Sequence, residues 1–324
     1  MKRFAGFVTV GKARITRAII LPLLGLVLLW PFARQSATEE PVIQGELATI
    51  IEGLQQREQQ VWSARGDFLE ETTFNKDPEL LKYIDPDLAA LHPASDAVKV
   101  IWGFEGRQFR QETVKLDIGQ ASRPELPESR KIEAFDAEKG YYYESGTGYA
   151  MEVLPDRLSR AGIEGNFGHW LYLSHKYGTG RPLSQELIEK KAVVVGREVV
   201  NGIDCYHLFA PPSASGISRS WWIAPNLDFA LVREELLLNQ LSTGSTVQNV
   251  SNAEYLKYGG IWLPMKRDFT VVTRFSDGKE FWVRKAEASV LSLEVNQPIS
   301  QDFFQPEYAS GTHVHGIAGL RVIE

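Results

Sequence analysis

The chain reads as a mainly β, α+β protein in which an antiparallel sheet carries helices over one face. Three observations support this. The dipeptides Asn201-Gly202, Gly259-Gly260 and Asp277-Gly278 each separate two stretches of alternating apolar and polar residues, and such pairs supply the positive φ angles that tight hairpins require. Large aromatics, from Trp102 and Phe104 through Tyr141, Tyr142 and Tyr143 to Trp221, Trp222, Trp262 and Trp282, fall mostly within those stretches. Two segments with helical spacing, 47–61 and 155–191, carry apolar residues that a sheet face would have to cover.

Residues 1–37 stand apart from this pattern. Ala18 to Ala33 form an uncharged apolar run of 16 residues, preceded by Lys2, Arg3, Lys12, Arg14 and Arg17 and by no acid. A bilayer-spanning helix needs about 20 apolar residues, and Pro22, Gly25 and Pro31 interrupt this one. The run therefore matches the apolar centre of a secretory signal peptide. Cleavage is expected near Thr38, after the small residues Ser36 and Ala37, with a retained N-terminal anchor as the alternative. No Cys follows the run to carry a lipid. Residues 38–324 are then expected to work outside the cytoplasm, in the periplasm.

After a linker at Pro41 to Gly45, Leu47, Ile50, Ile51, Leu54 and Val61 predict one amphipathic helix. Trp62 to Phe74 changes to a two-residue period and predicts a strand with Phe68 and Phe74 on one face. Asn75 to Ala97, punctuated by Asp77-Pro78, Asp85-Pro86 and His92-Pro93, predicts a loop carrying a short helix. Strand pairing resumes at Val98, where Val98, Val100, Trp102 and Phe104 share a face, and Gly106 turns the chain into Gln108 to Leu116. A polar loop at 120–130 leads to strands at 131–135 and 140–144. Pro155 to Lys191 predicts two short helices, with Ser184 capping the second. No repeat or internal linker divides residues 38–324.

Charge and motifs exclude several functions. Removal of residues 1–37 takes away six bases and no acids, which moves the formal charge from −6 to about −12. An acidic chain lacks the basic footprint of nucleic-acid binding, and strong attraction to anionic lipid surfaces is not expected either. The single cysteine, Cys205, forms no intramolecular disulfide and reads as a small core hydrophobe. There is no G-x-S-x-G elbow, H-E-x-x-H, Walker loop or C-x-x-C, so a non-enzymatic role without cofactor is expected. His313-Val314-His315 has metal-like spacing, but two ligands do not make a site, and these read as solvated histidines near a loose C-terminus. His207 reads as a packed or edge histidine. Trp221 and Trp222 must point to opposite faces of one strand. Either the sheet is covered on both sides, or one side is an apolar surface that takes a ligand.

The order of elements and four strand phrases resemble the outer-membrane lipoprotein carrier superfamily, of LolA, LolB and RseB type. The phrases are GREVVNGIDCYHL (196–208), SWWIAPNLDFALVREE (220–235), YLKYGGIWLPMK (255–266) and PISQDFFQPEYASGTHV (298–314). The resemblance implies a strongly curved antiparallel half-barrel over residues 38–324, its concave face covered by helices, with a cavity for acyl chains or apolar peptide segments. An exported, monomeric binding protein for a lipid or lipoprotein lipid moiety is expected. The alternatives are an RseB-type sensory module that contacts an envelope membrane protein and an unrecognised envelope enzyme. Strand alternation, with the insertion as a lid, nominates Trp102, Phe104, Phe167, Trp170, Trp221 and Trp222 as ligand-binding residues. No metal ligand is assigned.

Overall fold

The computed structural model describes residues 40–84, 94–116, 130–155, 182–213, 216–240, 244–317 and 319–324. The expected signal segment, the 120–130 loop up to Glu128 and Ser129, and Phe167 and Trp170 lie outside these residues.

Two antiparallel meanders make up most of the chain. The first holds β1 (Ser63–Phe74), β2 (Ser95–Glu105), β3 (Gln108–Leu116), β4 (Arg130–Phe135), β5 (Gly140–Glu144) and β6 (Tyr149–Val153). The second holds β7 (Val193–Val200), β8 (Ile203–Ala210), β9 (Ile217–Ala224), β10 (Ala230–Gln240), β11 (Gly244–Tyr258), β12 (Ile261–Phe275) and β13 (Glu280–Val295). Pairing of β1 with β13, from Ala64↔Val295 to Phe74↔Arg284, joins the two into one sheet. The C-terminal strands β14 (His313–Gly316) and β15 (Gly319–Val322) extend it beyond β6. Among the described residues fifteen strands thus form an open sheet with β7 and β15 at its edges. The antiparallel expectation holds for every described pair but one, because β14 returns from the far end of the chain and pairs parallel with β6.

The turns follow their chemistry. Asn201 and Gly202 take φ of 52° and 79°, the doubly positive geometry of a two-residue hairpin whose twist matches its strands. Asp277-Gly278 belongs instead to a longer loop, in which the Phe275 amide donates to Lys279 O and the Gly278 amide to Phe275 O.

Helix α1 (Glu40–Gln60) starts at Glu40, so the expected linker at 41–45 is its first turn. Ile50 and Leu54 are buried with Leu47 packed beside them, the spacing of one helix face. They meet Trp221, Ile223, Leu231 and Val250, while Leu183 and Leu187 of the short helix α3 (Leu183–Glu189) join the same cluster. Ser184 does not act as the N-cap. Its amide and hydroxyl both donate to the Glu58 carboxylate of α1, at 3.0 and 2.6 Å, so one helix caps the other. A further described helix, α2 (Pro78–Leu81), is capped by Asp77.

On the same sheet face a second cluster gathers Phe68, Val100, Trp102, Phe104, Phe109, Phe135 and Leu263. The opposite face carries Cys205, Trp222, Ala224 and Val232. Farther along, Tyr141 and Tyr143 pack against Val314 and Tyr308 of the C-terminal segment. The C-terminus is therefore built into the sheet rather than loose: Val314 is buried, and His313 and His315 point outward.

Candidate functional site

A hollow opens on the helix-covered face, and its cause lies in β13. This strand presents Ala286 and Ala288 at successive inward positions, while β1 and β12 beside it present Phe68 and Phe269. Small side chains between large ones leave a trough, and Val98, Val100, Leu236 and Val250 continue its apolar wall. The cleft measures about 510 Å³, within the ~300–1,000 Å³ of small-molecule sites. Gln111 and Thr113 of β3 and Arg219 of β9 both line it, although seven strand spacings separate β3 from β9 in the sheet order. Laid flat, those spacings at about 4.8 Å each would put the two strands more than 30 Å apart. The sheet is strongly curved, and the cleft lies in its concavity.

Five charged side chains also line the cleft. Arg219 donates to Glu186 of α3 at 2.6 Å and lies 3.5 Å from Glu234. Arg284 reaches Glu70 at 3.3 Å and the Thr72 hydroxyl at 3.4 Å. Its guanidinium lies 5.4 Å from the Phe269 ring centre and 5.8 Å from that of Phe74. Arg267, two positions before Phe269 on β12, shares the inward face. A smaller hollow of about 160 Å³, lined by Thr72, Phe74 and Asp96, adjoins at Arg284. No His, Cys, Ser or Lys side chain is among the described lining residues. The cleft offers apolar contact, amide and hydroxyl hydrogen bonds and charge pairing.

The helices are tied to the rim by buried polar contacts. Arg57 of α1 is 2% exposed and donates to the carbonyls of Trp262 at 2.6 Å, Asp228 at 3.4 Å and Leu227 at 3.5 Å. Burial lowers its pKa to about 10 against the pull of Tyr255, Asp228 and Glu58, so it is charged at neutral pH. Glu186 connects α3 to the cleft wall through Arg219.

Of the nominated residues, Phe167 and Trp170 lie outside the described residues, and the other four lie around this cleft rather than in its lining. Val98 and Val100 line it, and Trp102 and Phe104, farther along the same strand face, are fully or nearly fully buried beyond its end, with ring centres 6.5 Å apart. Trp221 lies under α1, two residues from Arg219. Trp222 faces the other side, stacked on His207 at 4.4 Å and donating to Glu198 at 2.9 Å. None of these four lines the cleft. His207 is indeed packed at the surface of that stack, and Cys205 is buried, its thiol pushed up to about 11 by burial. Sequence reasoning missed Ala286, Ala288, Phe269, Arg267 and Arg284. Alternation in KAEASV (285–290) places the two alanines on one face, but no local signal says what that face meets. Among the described residues no three His, Cys, Asp or Glu side chains gather as a metal site, and no helix is long and apolar enough to cross a membrane.

No protein-family model and no curated protein matches the sequence. Among solved structures, a DUF1329 family protein from Desulfovibrio piger aligns at 10% identity and a TM-score of 0.46, over 80% of this chain and 97% of that one. A putative outer membrane lipoprotein-sorting protein domain from Vibrio parahaemolyticus aligns at 12% identity and 0.46, with the same shares. MucB, solved in complex with MucA, aligns at 9% identity and 0.23, over 78% of this chain and all of its own. At such values the likeness assigns no residue and no activity.

Proposed function

We propose that this chain is an exported envelope protein that shelters an apolar ligand, an acyl chain of a lipid or the lipid moiety of a lipoprotein, in the concave cleft. The observation that carries this reading is the trough over Ala286 and Ala288 between Phe68 and Phe269. Each methylene buried there contributes about 0.8 kcal/mol, so one long chain binds usefully without covalent chemistry. The apolar run at 18–33 behind its five bases supports export.

Native mass spectrometry of protein purified from membranes, with titration of a fluorescent fatty acid, tests the reading. Co-purified lipid and saturable binding are expected; neither species bound would rule it out. N-terminal sequencing should begin near Thr38, whereas an intact Met1 in the membrane fraction would establish a tethered protein. A second reading, an interaction module, draws on the edge strand β7, where Val193, Val195 and Val199 are exposed. A photo-crosslinker at position 199 would then capture an envelope protein in cells, and would capture none under the first reading.

A further inference from the structure

The charges of the cleft are sorted along it. At the β9–β10 end one guanidinium, Arg219, meets two carboxylates, Glu186 and Glu234. On the floor of the cleft, at β12–β13, Arg267 and Arg284 lie on either side of Phe269, with Glu70 beside Arg284.

Arg284 is positioned as a receptor for an anion. Its guanidinium stands close to the rings of Phe74 and Phe269, which favour a cation. Its contacts to Glu70 and Thr72, at 3.3 and 3.4 Å, are long beside the ~2.7–2.9 Å of a full charge-assisted bond. Its Nε is buried and meets no acceptor among the described residues. A buried donor without an acceptor is costly, and a bound oxyanion would supply one. The planar fork of arginine suits a carboxylate or phosphate in particular.

We infer that the ligand is an anionic amphiphile, with its carboxylate or phosphate on Arg284 and its chain along Ala286 and Ala288, past Arg267, toward Phe68 and Val100. This rests on the acyl-binding reading above and adds the headgroup to it.

The test is competition against a bound fluorescent fatty acid, using the delipidated full chain below the micellar concentration of each competitor. Palmitate, palmitoyl lysophosphatidic acid and uncharged monopalmitoylglycerol share one chain and differ in headgroup. Both anions should compete at concentrations at least about tenfold below the neutral lipid, and a difference between them identifies the preferred oxyanion. Arg284→Gln should abolish that preference while monopalmitoylglycerol is unaffected, and Arg284→Lys should retain part of it. Arg267→Gln, checked like the others by thermal unfolding, should reduce it too and serves if Arg284→Gln does not fold. Equal competition by all three lipids, or a preference indifferent to both arginines, overturns the headgroup assignment and leaves acyl binding standing. Failure of every acyl probe to bind overturns both.

Discussion

Gly53 shows how one residue fixes a helix against a sheet. A Cβ at this position would lie 2.2 Å from the Phe229 ring, and Phe229 is held by its own left-handed backbone, φ 56°. Helix propensity alone predicts that Gly53→Ala stabilises by about 1 kcal/mol. The close approach predicts instead a net loss of about 1–3 kcal/mol, seen as a lower midpoint in thermal unfolding. Glu112 is a second such residue. Burial pushes its carboxyl up, but hydrogen bonds from Arg130 and Arg110 outweigh this and hold it below the usual carboxylate range. Arg110, so neutralised, donates to the carbonyls of Phe303 and Gln305 and pins the C-terminal segment. A depressed folded-state value means that the stability is present above the unfolded pKa, about 4.3, and is lost as pH falls through the folded one. Glu112→Gln should cost about 3 kcal/mol at pH 7, and denaturant titrations should show the difference shrinking below about pH 4.

At the scale of elements, α1 is secured by Arg57 as well as by its apolar stripe. Removing that side chain takes away the donor to the Trp262, Asp228 and Leu227 carbonyls and opens space beneath the helix. Arg57→Ala should cost about 2–4 kcal/mol and raise hydrogen exchange in α1 and α3 more than in β1–β3, because Glu58 couples the two helices. Strand β13 is shaped by the smallness of Ala286 and Ala288. Ala286→Leu should fill the trough and lower fatty-acid affinity at least about tenfold, with unfolding midpoints changed by only a few degrees.

For the whole molecule, the decisive fact is that one sheet carries both meanders through β1 and β13. Cores on either side of the cleft therefore share strands. Trp102→Ala in the first core and Trp221→Ala in the second should each cost about 3–5 kcal/mol and shift a single calorimetric transition. Two separable transitions would show that the meanders fold independently. Since Trp102 lies beyond the end of the cleft, its replacement should alter acyl affinity far less than Ala286→Leu.

The sequence by itself determined what depends on near neighbours. Turn dipeptides placed the hairpins, two-residue alternation gave the shared face of Val98 to Phe104 and the opposed faces of Trp221 and Trp222, and helical spacing gave α1. These signals are local because φ preference and side-chain period act within a few residues. The tertiary structure alone decided which strands face one another. Arg284 meets Glu70 across 214 residues of sequence, and β14 pairs with β6 in a direction that its own residues do not encode. The trough exists because curvature brings β3 and β9 to the rims of one cleft above two alanines, and curvature is a property of many twisted strands taken together. Of the aromatic candidates, Trp102, Phe104, Trp221 and Trp222 fill the core. The floor of the cleft is made by small and charged residues, whose significance comes from what surrounds them.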